Sequence, residues 1–259
     1  ADGVALSLGT NNTLRFESTT ANITTPGAAT ITMSGGRLDF YSDTPIATIG
    51  SGITVNGRGA ITNYWMSNGA LMNNGVINST TGDIDLIYLG TLTNNGTLTA
   101  TTGAMNVSSI ATFTQSGTIN VVSGATFSRP AGFTNTGTLS GNGTIAVGPG
   151  ASKLTNQGTI NPGGSGTAST LTITGDLQLD PGSNLNIDLG GTGADQSDKL
   201  AVTGNITSGG ILNANLVGGY TPINGDAIPF LAMGGTASGT FSTTTLPTNF
   251  SAGYNLAAG

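Results

Sequence analysis

The chain has 259 residues, 43 of them glycine, with no cysteine, no histidine and a net charge of −6 from six basic and twelve acidic residues. So few cations exclude nucleic acid as a partner, because phosphate binding needs a basic surface, and the lack of Cys and His excludes the common zinc sites and a Ser-His triad. No stretch reaches the roughly 18 apolar residues of a membrane-spanning helix.

Residues 1–65 predict N-terminal coils and a cap. Val4-Ala5-Leu6-Ser7-Leu8 is an alternating strand with no earlier partner, and Ala29-Thr30-Ile31-Thr32-Met33 and Gly52-Ile53-Thr54-Val55 are further short alternating units. Leu38-Asp39-Phe40-Tyr41, Ile46 and Tyr64-Trp65 bring most of the early bulk, which suits a covered end or an interaction patch. The opening Ala1-Asp2-Gly3 looks like a mature terminus left by signal-peptide removal, and the absence of cysteine fits export through an oxidising compartment.

Residues 66–165 carry a repeat, and the repeat decides the fold class. A Leu or Phe is followed by small polar residues, then Gly, one residue, and a branched aliphatic. The copies are Leu71 to Ile77, Leu92 to Leu98, Phe113 to Ile119, Phe133 to Leu139 and Leu154 to Ile160, with glycines at 75, 96, 117, 137 and 158, hence intervals of 21, 21, 20 and 21. A second alternating run lies in each interval, for example Ile84-Asp85-Leu86-Ile87 and Met105-Asn106-Val107. Strands this short cannot bury a face alone and must stack on their neighbours. The prediction is an all-β, right-handed parallel β-helix with coils of about 21 residues, three short strands to a coil and about twelve coils over the chain. The Asn-Gly and Thr-Gly pairs read as corners where positive φ is needed.

Residues 166–259 predict further coils of one continuous body. Asn161-Pro162-Gly163-Gly164 opens a run with longer strands: Leu171 to Leu179 ending its first half in Thr174-Gly175-Asp176, Ser183 to Leu189, Asp198-Lys199-Leu200-Ala201-Val202-Thr203-Gly204, Gly225 to Leu231, and Gly239-Thr240-Phe241 before Leu246-Pro247. This ordered set, over about residues 158 to 256, resembles the C-terminal region of autotransporter-type passenger domains and related repeat-rich bacterial surface proteins. The resemblance implies export, a right-handed β-helix and adhesion, aggregation or scaffolding, and it carries over no catalytic residue. The sequence departs from that pattern in stopping at Leu256-Ala257-Ala258-Gly259, without the strand and membrane barrel that commonly follow.

Chemistry is sparse. Glycosidases need two facing carboxylates, and the chain has one glutamate, Glu17, beside eleven aspartates. Asp83 and Asp85 share a face with no basic partner on the neighbouring coils. Asp195 and Asp198 raise a calcium site, against which stands a solvated loop with an internal ion pair to Lys199. Neither a catalytic residue, a cofactor nor a metal is expected. The leading expectation is a secreted or surface-displayed bacterial structural protein that polymerises head to tail, with Val4, Ala5, Leu6, Ser7 and Leu8 of one copy completing Tyr254 and Leu256 of the next. The alternative is an adhesin that binds a host surface or glycan through Tyr41, Tyr64, Trp65 and Tyr220; a polysaccharide-active enzyme stands behind both.

Overall fold

A strand such as Thr97–Ala100 turns only Leu98 and Ala100 inward, both buried. Two side chains cannot hold a strand in place, so the stability of each segment comes from the coils before and after it. The computed structural model, which describes residues 4–17, 21–41, 46–64 and 69–253, is accordingly a parallel β-solenoid. Among the described residues the one helical element is the short 3-10 turn Gly150–Ser152, and no helix is long and apolar enough to cross a membrane. The chain folds as two compact units, Ala1–Arg129 and Pro130–Gly259.

In the first unit, β1 (Val4–Leu8), β2 (Thr13–Glu17) and β3 (Asn22–Ile23) make the opening coil. β4 (Ala29–Tyr41) pairs with β1 along its first half and with β2 along its second, because it bends where its register shifts between Ser34 and Gly36. β5 (Ile46–Ile49) lies on β3. The next coil repeats this plan in β6 (Ile53–Thr62), which bends between Gly57 and Gly59, and in β7 (Ala70–Asn73) on β5. β8 (Val76–Ile87) follows, and beyond it the long strands split into separate pairs such as Thr97–Ala100 and Ala104–Asn106. Three segments per coil, as expected from the repeat, thus run through the unit.

In-register pairing places like on like. Val55, Ile77, Leu98 and Ile119 form one fully buried column. Each such side chain contributes about 1.5–3 kcal/mol relative to its exposed state. The second unit has equivalent columns, Leu139–Ile160–Leu185–Leu212 and Leu154–Leu177–Ile206.

Two expectations need correction. Register partners are 21 residues apart from Val76 to Thr118 and again from Thr138 to Thr159. Elsewhere the offset widens, to 25 between Val4 and Ala29, 27 between Asn184 and Ile211, and 32 between Ile211 and Thr243. The chain therefore makes fewer coils than twelve. In the second unit the extra residues collect at one corner, in the segments 163–169, 190–198 and 217–230, which each follow the same kind of strand.

The repeat glycines also serve a different purpose from the one expected. Glycines 75, 96, 117 and 158 do not take positive φ. What excludes a side chain is the coil beneath: a methyl group on Gly96 would sit 2.1 Å from the Gly75 carbonyl oxygen, and one on Gly117 would sit 2.1 Å from that of Gly96.

Two residues before each of these glycines, the polar residue points inward. Asn73, Asn94 and Gln115 are buried in one column, and Asn73 Nδ2 donates to Asn94 Oδ1 at 2.8 Å while Asn94 Nδ2 donates to Gln115 Oε1 at 2.8 Å. The second N–H of each amide closes the following turn, from Asn73 to the Thr97 carbonyl and from Asn94 to the Thr118 carbonyl. Asn135 and Asn156 repeat the arrangement in the second unit at 2.7 Å. In the first unit the oxygens of Asn73, Asn94 and Gln115 all have donors, which is the condition for burying such amides; in the second unit Asn135 Oδ1 is buried without one.

Candidate functional site

Of the residues expected to mediate self-association, Val4, Ala5, Leu6, Ser7 and Leu8 are the strand β1; Tyr254 and Leu256 lie outside the described residues, as does Trp65. Among the described residues β1 and β2 pair only with β4, and β3 only with β5, so the backbone groups on their other edge have no strand partner. The side chains that alternate inward are incompletely covered. Leu8 is buried, but Leu6 is 39% exposed and Leu14, Phe16 and Ile23 are half-buried. Phe16 stacks on Phe40 of the coil below, with ring centroids 5.4 Å apart.

The outer face of the same coils holds a cluster that the sequence reading did not assemble. Asp39 lies on the outward side of β4 yet is fully buried, because Arg15 and the backbone of Tyr64 close over it. Arg15 Nε donates to Asp39 Oδ2 at 2.9 Å, and the Tyr64 N–H donates to Asp39 Oδ1 at 3.1 Å. Register places Arg15 opposite Asp39 across β2 and β4. The Arg15 guanidinium also lies 5.5 Å from the Tyr41 ring centre, and that of Arg37 lies 4.7 Å from the Tyr64 ring centre. Tyr64 in turn meets Tyr88 edge to face at 5.4 Å. Tyr64 and Tyr88 remain 43% and 44% exposed. Tyr88 has φ of 56°, in the left-handed region that a bulky residue rarely adopts and that costs about 1–2 kcal/mol.

Of the aromatic residues expected to form an adhesive patch, Tyr41 and Tyr64 therefore belong to one cluster. Tyr220 lies in the second unit and donates its hydroxyl to Asp226; this bond pushes its ionisation up to about 12. In that unit the segments 226–230 and 246–253 enclose an apolar cavity beside Ile187, Leu189 and Leu212, whose one charged lining group, Asp226, is engaged with Tyr220.

No family model, curated protein or solved structure matches the chain. Geometry and chemistry alone therefore carry its functional reading.

Asp195 and Asp198, raised as a calcium pair, sit in different settings, and at Asp198 the expected solvated loop with an ion pair to Lys199 is replaced by buried hydrogen bonding. Asp195 is exposed, whereas Asp198 is buried and accepts the N–H groups of Ser169 and Asp188, both at 2.9 Å. Asp188, also buried, accepts the Gly166 N–H. The two carboxyls tie down the widened corner. Burial pushes Asp198 up to about 7, with the neighbouring Asp188 charge adding to that effect and the two backbone N–H groups opposing it. Among the described residues no group of three metal-ligating side chains comes together.

Arg129 is one of the six basic residues of the chain. It is buried at 4% exposure, donates to the carbonyls of Val107 at 2.8 Å and Ile110 at 2.6 Å, and faces Phe113. The signal available in the sequence was the placement of its lone charge two residues after the inward Phe127.

Proposed function

We propose that the chain is a non-enzymatic structural protein, exported to the cell surface or beyond it, that joins copies of itself head to tail. The observation that carries this reading is the coil of β1, β2 and β3, where, among the described residues, strand edges without a strand partner coincide with apolar side chains, Leu6 foremost, that one more coil would cover. Adding a strand to such an edge supplies main-chain hydrogen bonds, and burying the half-exposed row supplies the apolar driving force. A contact between the first coil of one copy and the last coil of the next is heterologous, so it propagates. The lack of cysteine supports export. The buried carboxylates support a non-catalytic role, because Asp39 is committed to Arg15 and Asp198 to backbone N–H groups.

The test is electron microscopy and sedimentation of the purified chain beside Leu6→Lys and a deletion of residues 1–8. Fibres formed by the parent and lost in both variants, with β-sheet circular dichroism retained, are the expected result. Fibres that persist in both, or a parent that stays dispersed at every concentration, overturn the proposal.

A further inference from the structure

We propose that the outer face of the first coils binds an acidic polysaccharide, through Tyr64 and Tyr88 as a stacking platform and Arg37 as the carboxylate clamp. This goes beyond self-association and does not depend on it.

Tyr88 motivates the proposal. A tyrosine in the left-handed region pays a backbone cost that Asn or Gly would avoid, and it does so while leaving the residue 44% exposed at the surface rather than taking it into the core. Strain of this kind, held at a surface by the surrounding fold, is a mark of a functional position. The strained residue presents its ring to a second exposed tyrosine, 5.4 Å away.

The platform is pre-organised. Asp39, fully buried, fixes the Tyr64 backbone from one oxygen and Arg15 from the other. Arg37 lies over the Tyr64 ring, and among the described residues it has no carboxylate partner or hydrogen-bond acceptor. A guanidinium with no carboxylate partner among the described residues is notable in a chain of net charge −6, and three of the four arginines, at 15, 37 and 58, belong to these coils.

The ligand chemistry follows. A pyranose ring offers a C–H face to an aromatic ring and hydroxyls to the phenols, while a uronate carboxylate matches the planar fork of arginine. A single-stranded nucleic acid also stacks and carries charge, but it needs cations along its whole phosphate track, and the acidic chain has few to offer.

The experiment titrates the full chain with alginate by calorimetry, alongside alginate whose carboxyls have been reduced to alcohols, and poly(dT). Saturable alginate binding is expected, weakened by 0.5 M salt, where the screening length falls to about 4 Å, and at least roughly tenfold weaker for the carboxyl-reduced polymer, for Arg37→Gln and for Tyr88→Asn, the effect of losing one charge-assisted contact. Lys199→Gln, in the second unit, retains the parent affinity. Tyr88→Asn melts no lower than the parent, which separates lost binding from lost folding. Assembly by sedimentation is unchanged in these variants, so a failure here is distinct from a failure of the head-to-tail contact. The proposal is overturned by absent alginate binding, by equal binding of the reduced polymer, by variants that bind like the parent, or by a preference for poly(dT).

Discussion

Replacing Asn94 by alanine removes the middle member of the buried amide column. Asn94 accepts from Asn73 Nδ2 at 2.8 Å and donates to Gln115 Oε1 at 2.8 Å and to the Thr118 carbonyl at 3.3 Å. In the variant Gln115 Oε1 loses that donor, and Asn73 Nδ2 keeps the Thr97 carbonyl at 3.2 Å. Each buried polar group left short of a partner costs about 1–3 kcal/mol, so two of them, one partly compensated, give about 2–5 kcal/mol. Urea unfolding followed by circular dichroism reads this as a lower midpoint at unchanged slope. The matched control is Thr93→Ala, whose half-exposed side chain points the other way on the same strand and whose loss stays within about 0.5 kcal/mol. If Asn94→Ala unfolds at the midpoint of Thr93→Ala, the amides are not held in place by one another and the reasoning fails.

Two further predictions address the backbone and the corner. Gly96→Ala should destabilise by more than about 2 kcal/mol, because its methyl group meets the Gly75 carbonyl at 2.1 Å, whereas Gly124→Ala, with φ of +80° and open space around it, should cost about 1–2 kcal/mol from backbone conformation alone; equal midpoints for the two would refute the close-approach account. Asp198 holds its proton in the folded chain up to about pH 7 but ionises near pH 4 when unfolded. The unfolded state therefore binds fewer protons between those values, and stability falls by on the order of a few kcal/mol as pH rises from about 4 to about 7. Thermal melts across that range should show the decline and should lose it in Asp198→Asn; a parent more stable at pH 7 than at pH 5 contradicts the assignment.

The parallel solenoid was legible because glycines 75, 96, 117, 137 and 158 keep a 21-residue period with aliphatic residues in fixed positions on either side. That period is the register itself, as the pairing of Thr97 with Thr118 makes plain. The inward Asn73, Asn94 and Gln115 carry the same period but stand in the repeat only as small polar residues, because polarity suggests exposure until their mutual hydrogen bonds are seen. The Arg15–Asp39 pair stands 24 residues apart, and Tyr41, Tyr64 and Tyr88 are spaced by 23 and 24, in coils wider than the 21-residue unit, so a search at one period passed over them. Asp198 was misread for a related reason. Its neighbours Asp195 and Lys199 suggested a charged loop, while the groups that receive it, Ser169 and Asp188, come from the preceding coil and from the strand across the corner.

The amide column has a direction. Asn73 gives its N–H to Asn94, and Asn94 gives its own to Gln115, so the carboxamide dipoles of Asn73 and Asn94 point the same way along the stacking axis. Bonds in such a series polarise one another, by perhaps about 10–30% each. The column is thus a small electret inside a largely apolar core, and it distinguishes the two senses in which one coil can be laid on another.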